Sequence, residues 1–222
     1  MSEQKQAAGQ APAPEKKPEK QRKSRWYAAA RVLAAVLFHT VGPVAYEGLE
    51  NLPQDGPCIL IGNHQSWMDP VIVAAPMKKK EVTFLGKKEL VGNRLVHHVL
   101  TDMHMIIVDR HNSDMEAMRA CVRALRGGEI LGIFPEGTRH HGGTMEQLES
   151  GVGLIALRSG APVVPMYIES KYRLFHRNRC VVGAPIDYSD LRAEGVNRDT
   201  CERLMERITG VYAGLRNRAK EK

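Results

Sequence analysis

From residue 57 onward, short apolar runs alternate with longer segments that have helical periodicity. Several of the runs are apolar at every position, a pattern typical of strands buried on both faces of a sheet. Alternation of such strands with helices predicts a single α/β domain with a largely parallel central sheet flanked by helices. The predicted strands are residues 58–62, 82–85, 105–109, 130–134, 163–169 and 179–183. The predicted helices are residues 70–75, 88–100, 113–126, 151–159 and 197–218.

The N-terminal part of the chain has a different pattern. Residues 1–24 contain no aromatic or β-branched residue, so they cannot bury enough apolar surface to fold, and we expect a disordered basic arm. Residues 25–46 then predict an amphipathic helix that ends near Gly42-Pro43. Its apolar face, at three-and-four spacing, consists of Trp26, Ala29, Ala30, Leu33, Val36, Leu37 and Val41.

Three interpretations of this helix are open. A signal peptide would need a small-residue cleavage site, which the segment lacks. The helix could instead pack on its own domain. We favour a helix in the membrane interface, with Trp26 and Tyr27 at headgroup level and the basic arm on anionic lipid. No run reaches the roughly 20 apolar residues of a membrane span, so we expect peripheral or monotopic attachment at the cytoplasmic face of the cell membrane.

Charge and cysteine content narrow the function classes. The net charge of the 222 residues is +7, but residues 1–25 carry +4 and residues 216–222 carry +3, so the remainder is neutral. A nucleic-acid-binding domain with a basic face is therefore not expected. The four cysteines are widely spaced without a CxxC pair, which indicates neither a zinc site nor a disulfide framework. We expect no metal.

A histidine and an aspartate follow the first strand of the predicted domain. His64 lies in the loop after that strand, and Asp69-Pro70 has the residue types that begin a helix. The loop can fold His64 back onto Asp69. A carboxylate that holds one imidazole nitrogen leaves the other nitrogen free to act as a base on a hydroxyl group. A structural hydrogen bond between loop and helix cap is the alternative.

Two further strands end in charged residues. Asp109-Arg110 follows one strand, and the segment from Glu136 to Arg139 follows another. Because open α/β sheets build their sites outside the carboxyl ends of the strands, we expect these groups to share a cleft with His64. Each arginine alone could be a surface residue. Together they favour an anionic substrate, since a guanidinium group matches phosphate oxygens. Gly137 would allow the backbone to approach a ligand closely.

These segments resemble the four ordered motifs of the glycerolipid acyltransferases. The strings are NHQSWMD, IIVDR, FPEGTR and VVP, and the similarity covers about residues 26–185. Within that family the chain is most similar to the bacterial 1-acyl-sn-glycerol-3-phosphate acyltransferases, also known as lysophosphatidic acid acyltransferases. The resemblance implies the glycerolipid acyltransferase fold over residues 47–215, between the helix of residues 25–46 and a basic tail at residues 216–222.

The resemblance also implies an activity in phospholipid biosynthesis. The acyl group of acyl-coenzyme A or acyl-carrier protein would pass to the free hydroxyl of lysophosphatidic acid, forming phosphatidic acid without a cofactor or a covalent acyl-enzyme. His64 would be the general base, oriented by Asp69, and Pro165 would shape the cleft wall. The residues implied to hold the acceptor's glycerol phosphate are Arg110, Glu136, Gly137, Thr138 and Arg139. Two alternatives stay open: an acyltransferase for another lysolipid, and a catalytically silent lipid-binding protein at the membrane.

Overall fold

Seven strands form one sheet in the computed structural model, which describes residues 24–87, 105–108, 115–136 and 151–220. The strand order is β1-β7-β6-β2-β5-β3-β4, and every neighbouring pair is parallel except β6 and β7. The strands are β1 (Val44–Glu47), β2 (Cys58–Gly62), β3 (Val82–Lys87), β4 (Ile106–Val108), β5 (Ile130–Ile133), β6 (Val163–Ile168) and β7 (Asn178–Val182). The predicted α/β class with largely parallel pairing is confirmed.

Helices cover both faces of this sheet. They are α1 (Arg25–Thr40), α2 (Asp69–Ala74), α3 (Met115–Arg126), α4 (Gly151–Ser159), α5 (Ser189–Glu194) and α6 (Arg198–Lys220), with a short 3-10 helix at Leu49–Asn51. One hydrophobic cluster lies between the sheet and α3, α4 and α6, and a second lies beneath α1 and α2. Strands β2, β5 and β6 are buried at every position, as their uninterrupted apolar sequences predict.

Strand β2 occupies the middle of the sheet and sets the position of the site. Near its carboxyl end, Ile61 is paired with Ile133 of β5 on one side and with Pro165 of β6 on the other. The loops that follow these three parallel strands therefore emerge at the same edge of the sheet.

The structure adds strand β1, the 3-10 helix and helix α5 to the prediction and changes several element boundaries. Strand β1, which pairs with β7, begins inside the segment 25–46 that the sequence assigns to the N-terminal helix, and the helix, predicted to end near Gly42-Pro43, ends at Thr40. Helix α5 was not predicted. Helix α6 continues through residues 216–220 of the predicted basic tail, where Ala219 is buried and accepts a hydrogen bond from Arg179 at 2.7 Å. The predicted helix of residues 88–100 lies outside the described residues.

Helix α1 packs on the domain through one face only. Ser24 caps its first turn by accepting a hydrogen bond from the Tyr27 backbone at 2.9 Å. Tyr27, Ala34 and Phe38 are buried against the sheet, and the Tyr27 hydroxyl accepts a hydrogen bond from the Val82 backbone at 3.0 Å. Packing on the domain, one of the three interpretations, therefore holds for this face.

The apolar face predicted for α1 is divided: Trp26, Ala29, Leu33 and Val36 are exposed, whereas Ala30, Leu37 and Val41 are partly buried, with Leu37 packed on the core. The side chains of Trp26, Val32, Leu33 and Val36 are each more than half exposed. Within the described ranges, no helix is both long enough and apolar enough to cross a bilayer.

Candidate active site

The predicted pair of His64 and Asp69 is formed at the carboxyl end of β2. The Nδ1 atom of His64 lies 3.0 Å from Oδ2 of Asp69, which is the first residue of α2 and is fully buried. The same oxygen accepts hydrogen bonds from the backbone amides of Gln65 at 2.5 Å and Ser66 at 2.6 Å. With Nδ1–H donated to the carboxylate, the lone pair of Nε2 is left available to accept a proton.

Ser66 completes the set of donors around the carboxylate. Its hydroxyl donates to Oδ1 of Asp69 at 2.8 Å and accepts a hydrogen bond from the Met68 backbone at 3.2 Å. This side chain therefore orients Asp69 instead of presenting a nucleophile to a substrate. The sequence contains no GxSxG elbow either, so a serine-based acyl-enzyme is not favoured.

The loop that carries His64 is anchored to the end of β6. The side chain of Asn63 accepts a hydrogen bond from the Ile168 amide at 2.7 Å and donates one to the Ile168 carbonyl at 2.9 Å. Gln65 donates to the same carbonyl at 2.9 Å. Because all three contacts are buried, the loop is fixed to the sheet on both sides of the histidine.

A residue of α6 also joins the strands beneath the site. The Tyr212 hydroxyl donates to the Ile61 carbonyl, three residues before His64, and accepts a hydrogen bond from the Met166 amide at 3.3 Å. Burial raises the pKa of this phenol well above its usual value, so it stays a neutral donor. The helical pattern of residues 197–218 predicts an inward face, but not that one tyrosine on it reaches β2.

An aromatic stack orients the imidazole. The ring of His64 lies against Phe134, with 4.5 Å between the ring centroids and 25° between the planes. Phe134 in turn stacks on Phe84 of β3 at 6.1 Å. The side chain of His64 is 19% exposed, so the ring is largely covered but still reaches the surface of the cleft. Phe134 was not among the predicted site residues, although it opens the FPEGTR string and directly follows a buried strand.

Glu136 lies in the same cluster. It is 7% exposed, and neither carboxyl oxygen has a hydrogen-bond partner of good geometry among the residues described. Burial raises its pKa to about 7; the backbone amide of His64 partly offsets this effect, and the charge of Asp69 adds to it. A buried carboxyl group that makes no hydrogen bond of good geometry within the described residues is suited to interact with a bound molecule.

The other predicted site residues have different outcomes. Arg110, Gly137, Thr138 and Arg139 lie outside the described residues, so their grouping around a phosphate stays a prediction. Pro165 is buried inside β6, and its carbonyl accepts a hydrogen bond from the Gly183 amide at 2.8 Å. Its role in the cleft wall also stays a prediction.

A large apolar cavity lies between α1 and the sheet, next to the aromatic stack. Its volume is about 730 Å³, within the range of roughly 300–1,000 Å³ that is usual for ligand pockets. Phe84 lines this cavity and packs on Phe134, which stacks on His64, so these two aromatic side chains separate the cavity from the imidazole. The remaining wall includes the apolar side chains of Ala30, Ala34, Phe38, Val44, Pro70, Val71, Ala74 and Met105.

A parallel sheet with an imidazole–carboxylate pair at its carboxyl edge and an apolar cavity beside it has the features of an enzyme that activates a hydroxyl group near an apolar ligand. The chain belongs to the acyltransferase family, whose model matches residues 43–169. This match includes His64, Asp69 and Glu136 and extends to the end of β6.

Named relatives and one solved structure agree with this assignment. The chain is 30% identical to 1-acyl-sn-glycerol-3-phosphate acyltransferase of Bacillus subtilis, over 70% of this chain and 79% of the relative. It is 28% identical to the Streptococcus pneumoniae enzyme of the same name, over 88% and 75% of the two chains. The crystal structure of the 1-acyl-sn-glycerophosphate (LPA) acyltransferase PlsC from Thermotoga maritima has a similar fold, with a TM-score of 0.61 at 24% identity and coverage of 86% and 78%.

Proposed function

We propose that this acyltransferase transfers an acyl group from a thioester donor to the free hydroxyl of 1-acyl-sn-glycerol-3-phosphate, which yields phosphatidic acid. The observation that carries the proposal is the 3.0 Å contact between His64 Nδ1 and Asp69, which leaves Nε2 free at the edge of the cleft. The names of the Bacillus and Streptococcus relatives support the choice of acceptor. The donor is acyl-coenzyme A or acyl-carrier protein.

The reaction needs one base and no covalent intermediate on the enzyme. Nε2 of His64 takes the proton of the acceptor hydroxyl as its oxygen attacks the thioester carbonyl. The tetrahedral intermediate then collapses and breaks the carbon–sulfur bond, and the imidazolium returns its proton to the thiolate that leaves. Asp69 stabilises the imidazolium through the hydrogen bond to Nδ1, and it keeps the ring in the required tautomer.

The acceptor's glycerol phosphate needs cations and hydrogen-bond donors near the base. We assign Arg110 and Arg139 to the phosphate and the backbone at Gly137 and Thr138 to its close approach. Glu136, whose pKa is about 7, can bind a substrate hydroxyl as acceptor when it is ionised and as donor when it is neutral. Pro165 keeps its proposed place in the cleft wall.

The cavity beneath α1 is suited to an acyl chain. Its wall is dominated by apolar side chains, and Arg31 and Lys78 are the cationic members of the part of the wall that is described. A hydrocarbon chain that entered this cavity would pass Phe84 and bring its carboxyl end toward the imidazole. Burial of each methylene group contributes about 0.8 kcal/mol, so even part of a long chain would add substantially to binding.

The enzyme would meet its lipid substrate at the membrane surface. The outward face of α1 presents Trp26, Leu33 and Val36 to the solvent, as an interfacial helix requires. We propose that this face lies on the cytoplasmic leaflet and that the basic residues of segment 1–24 add attraction to anionic lipid, by about 1 kcal/mol for each cation close to the surface.

A lysolipid panel tests the proposed function. One labelled acyl donor is offered with lysophosphatidic acid and with lysolipids of other headgroups, and the His64→Ala variant is run beside the wild type. Fast transfer to lysophosphatidic acid that depends on His64 is the expected result. Preference for another headgroup would replace the acceptor, and full activity of the variant would contradict the mechanism. Lipid binding without transfer would favour the silent lipid-binding protein.

A further inference from the structure

The turn that joins β6 to β7 exposes two large apolar side chains. Phe175 is 84% exposed and Leu174 is 49% exposed. Phe175 has a φ of 60°, and within the described ranges it is the one residue other than glycine with a positive φ. This conformation is unfavourable for a bulky side chain. Neither burial nor backbone preference therefore explains why a phenylalanine stands at this position.

The turn is nevertheless well ordered by its contacts. The buried side chain of Asn178 accepts a hydrogen bond from the Arg173 amide at 2.9 Å and donates to the carbonyls of Arg173 at 3.0 Å and His176 at 3.1 Å. The Phe175 amide donates to the Val41 carbonyl at 2.7 Å. The backbone that surrounds Phe175 therefore holds it in the strained conformation and directs its ring outward.

Contacts of Tyr172 also attach the turn to the end of α1. The Tyr172 hydroxyl donates to the Gly42 carbonyl at 3.0 Å, and the Tyr172 ring packs on Phe38 with 5.7 Å between the centroids. The strand before the turn ends at Ile168, whose backbone binds Asn63 of the active-site loop. The turn thus lies at the edge of the sheet that carries His64 and beside the helix proposed to meet the membrane.

Cations surround the two apolar side chains. Lys171, Arg173 and Arg177 are exposed, and Glu169, the first residue of the turn, is the one acidic residue in the sequence from 169 to 186. In the part of the chain that is described, none of these three side chains has an ion-pair partner, whereas Arg179 is paired with Glu47 at 2.6 Å. Apolar side chains flanked by Lys and Arg are typical of segments that enter the boundary between headgroups and acyl chains of an anionic bilayer.

We propose that the β6–β7 turn, residues 169–177, is a second membrane-contact element. Phe175 and Leu174 enter the acyl boundary of the leaflet, and Lys171, Arg173 and Arg177 bind anionic headgroups. This inference rests on the proposed function, because a membrane-borne substrate gives the enzyme its reason to dock. The strain at Phe175 persists because the ring is needed outside the protein.

The Phe175→Asn variant tests the proposal. Asparagine tolerates a positive φ better than phenylalanine, so the variant should unfold at the same temperature as the wild type or at a higher one. Its partitioning onto vesicles of phosphatidylglycerol and phosphatidylcholine should fall about tenfold, as expected when one large apolar side chain is lost from the boundary. Val196→Asn is the matched control, since Val196 is 44% exposed outside the turn and should leave partitioning unchanged.

The charge contribution needs its own pair of measurements. Arg173→Gln/Arg177→Gln should weaken binding to vesicles with phosphatidylglycerol and reduce its salt dependence, while binding to pure phosphatidylcholine stays the same. Unchanged vesicle binding of Phe175→Asn overturns the proposal. An equal loss with Val196→Asn also overturns it, because the effect would then not belong to the turn.

Activity assays separate this inference from the proposed function. With a short-chain, water-soluble lysophosphatidate, Phe175→Asn should keep the wild-type kcat, and with acceptor in vesicles its rate should fall with partitioning. An equal loss on both acceptors would place Phe175 in the catalytic machinery and overturn the membrane role. If the wild type acylates neither acceptor, the proposed function fails, and the vesicle measurements still decide the role of the turn.

Discussion

Replacing Asp69 by asparagine tests how the structure activates His64. The Oδ2 atom of Asp69 faces three N–H donors, those of His64, Gln65 and Ser66, and Oδ1 faces the Ser66 hydroxyl. An asparagine amide has one orientation that suits this environment. Its oxygen must take the place of Oδ2, because an amino group there would face two backbone donors at about hydrogen-bond distance.

With the asparagine amide in this orientation, the substitution removes the negative charge of Asp69 and keeps its hydrogen bonds. The Nδ1–H of His64 still has an oxygen to bind, so the tautomer with a free Nε2 is preserved, and the Ser66 hydroxyl can accept from the new amino group. The negative charge opposite the imidazolium is lost. At 3.0 Å, a pair of unit charges interacts with about 5 kcal/mol at an effective dielectric constant of about 20, and the amide dipole retains part of this.

The expected loss is therefore about 3–4 kcal/mol of transition-state stabilisation, or a kcat reduced by about 10²–10³, since each tenfold step corresponds to about 1.4 kcal/mol. The acceptor KM should stay within a factor of about two, because Asp69 has no access to the substrate. Initial rates with a saturating acyl donor and varied lysophosphatidic acid give both constants. Asp199→Asn, at an exposed carboxylate on α6, is the matched control.

Two results would refute this reasoning. A kcat within about threefold of the wild type would show that charge on Asp69 contributes little, which disagrees with the Coulomb argument. A loss above about 10⁴, the size associated with a wrong tautomer in a serine-protease triad, would show that the amide turns its amino group toward His64. A thermal unfolding curve for each variant establishes that both retain the fold.

Three further predictions concern the groups around the pair. Glu136 keeps its proton in the native state up to about pH 7 while the unfolded chain releases it near 4.5, so wild-type stability should fall as pH rises across this interval, by at most about 3 kcal/mol. Urea unfolding at pH 5 and pH 7 should show a smaller difference for Glu136→Gln, and equal differences would contradict the raised pKa. Phe134→Leu removes the stacked ring from His64 and should lower kcat about tenfold with little change in acceptor KM, since a misplaced base costs rate; a changed KM alone would reject the orienting role. Tyr212→Phe leaves the Ile61 carbonyl without its donor and should destabilise the protein by about 1–3 kcal/mol in urea, and unchanged stability would show that the hydroxyl contact is unimportant.

Much of the sheet could be predicted from the sequence because its central strands are uninterrupted apolar runs, which are typical of strands buried on both faces. Strand β2 and helix α4 were predicted with the bounds that the structure shows, since an uninterrupted apolar run and a glycine-initiated helix leave little ambiguity. Strand β1 was missed because its four residues are only partly buried and alternate weakly. Its register with β7 depends on a partner more than 130 residues away, which no local pattern contains.

The helix α1 shows a second limit of sequence reasoning. Residues on both sides of this helix are apolar, so periodicity identifies the helix but not the side that packs inward. Tyr27 lies on the side that packs inward, where its hydroxyl accepts a hydrogen bond from the Val82 backbone. Trp26 lies on the exposed side. Part of the predicted apolar face is therefore exposed, whereas Leu37 of the same face packs on the core.

The residues of the candidate active site also differ in how far the sequence could indicate them. His64 and Asp69 were predictable because one residue leaves a strand and the other begins a helix, which places both in one short loop. The stacking of Phe134 and the reach of Tyr212 from α6 depend on how distant elements pack, so the sequence alone could not indicate them.

Ile168 connects the loop of His64 to the turn that is proposed to contact the membrane. Its backbone amide and carbonyl bind Asn63 and Gln65 on either side of His64, and the chain continues from it directly into the turn that exposes Phe175. Because both connections are hydrogen-bonded, docking of Phe175 in a leaflet, as proposed above, would also constrain how far the imidazole lies from that leaflet. We therefore propose that the rigid turn would position the base for an acceptor in the bilayer, whereas a flexible anchor would hold the enzyme near the membrane without setting this distance.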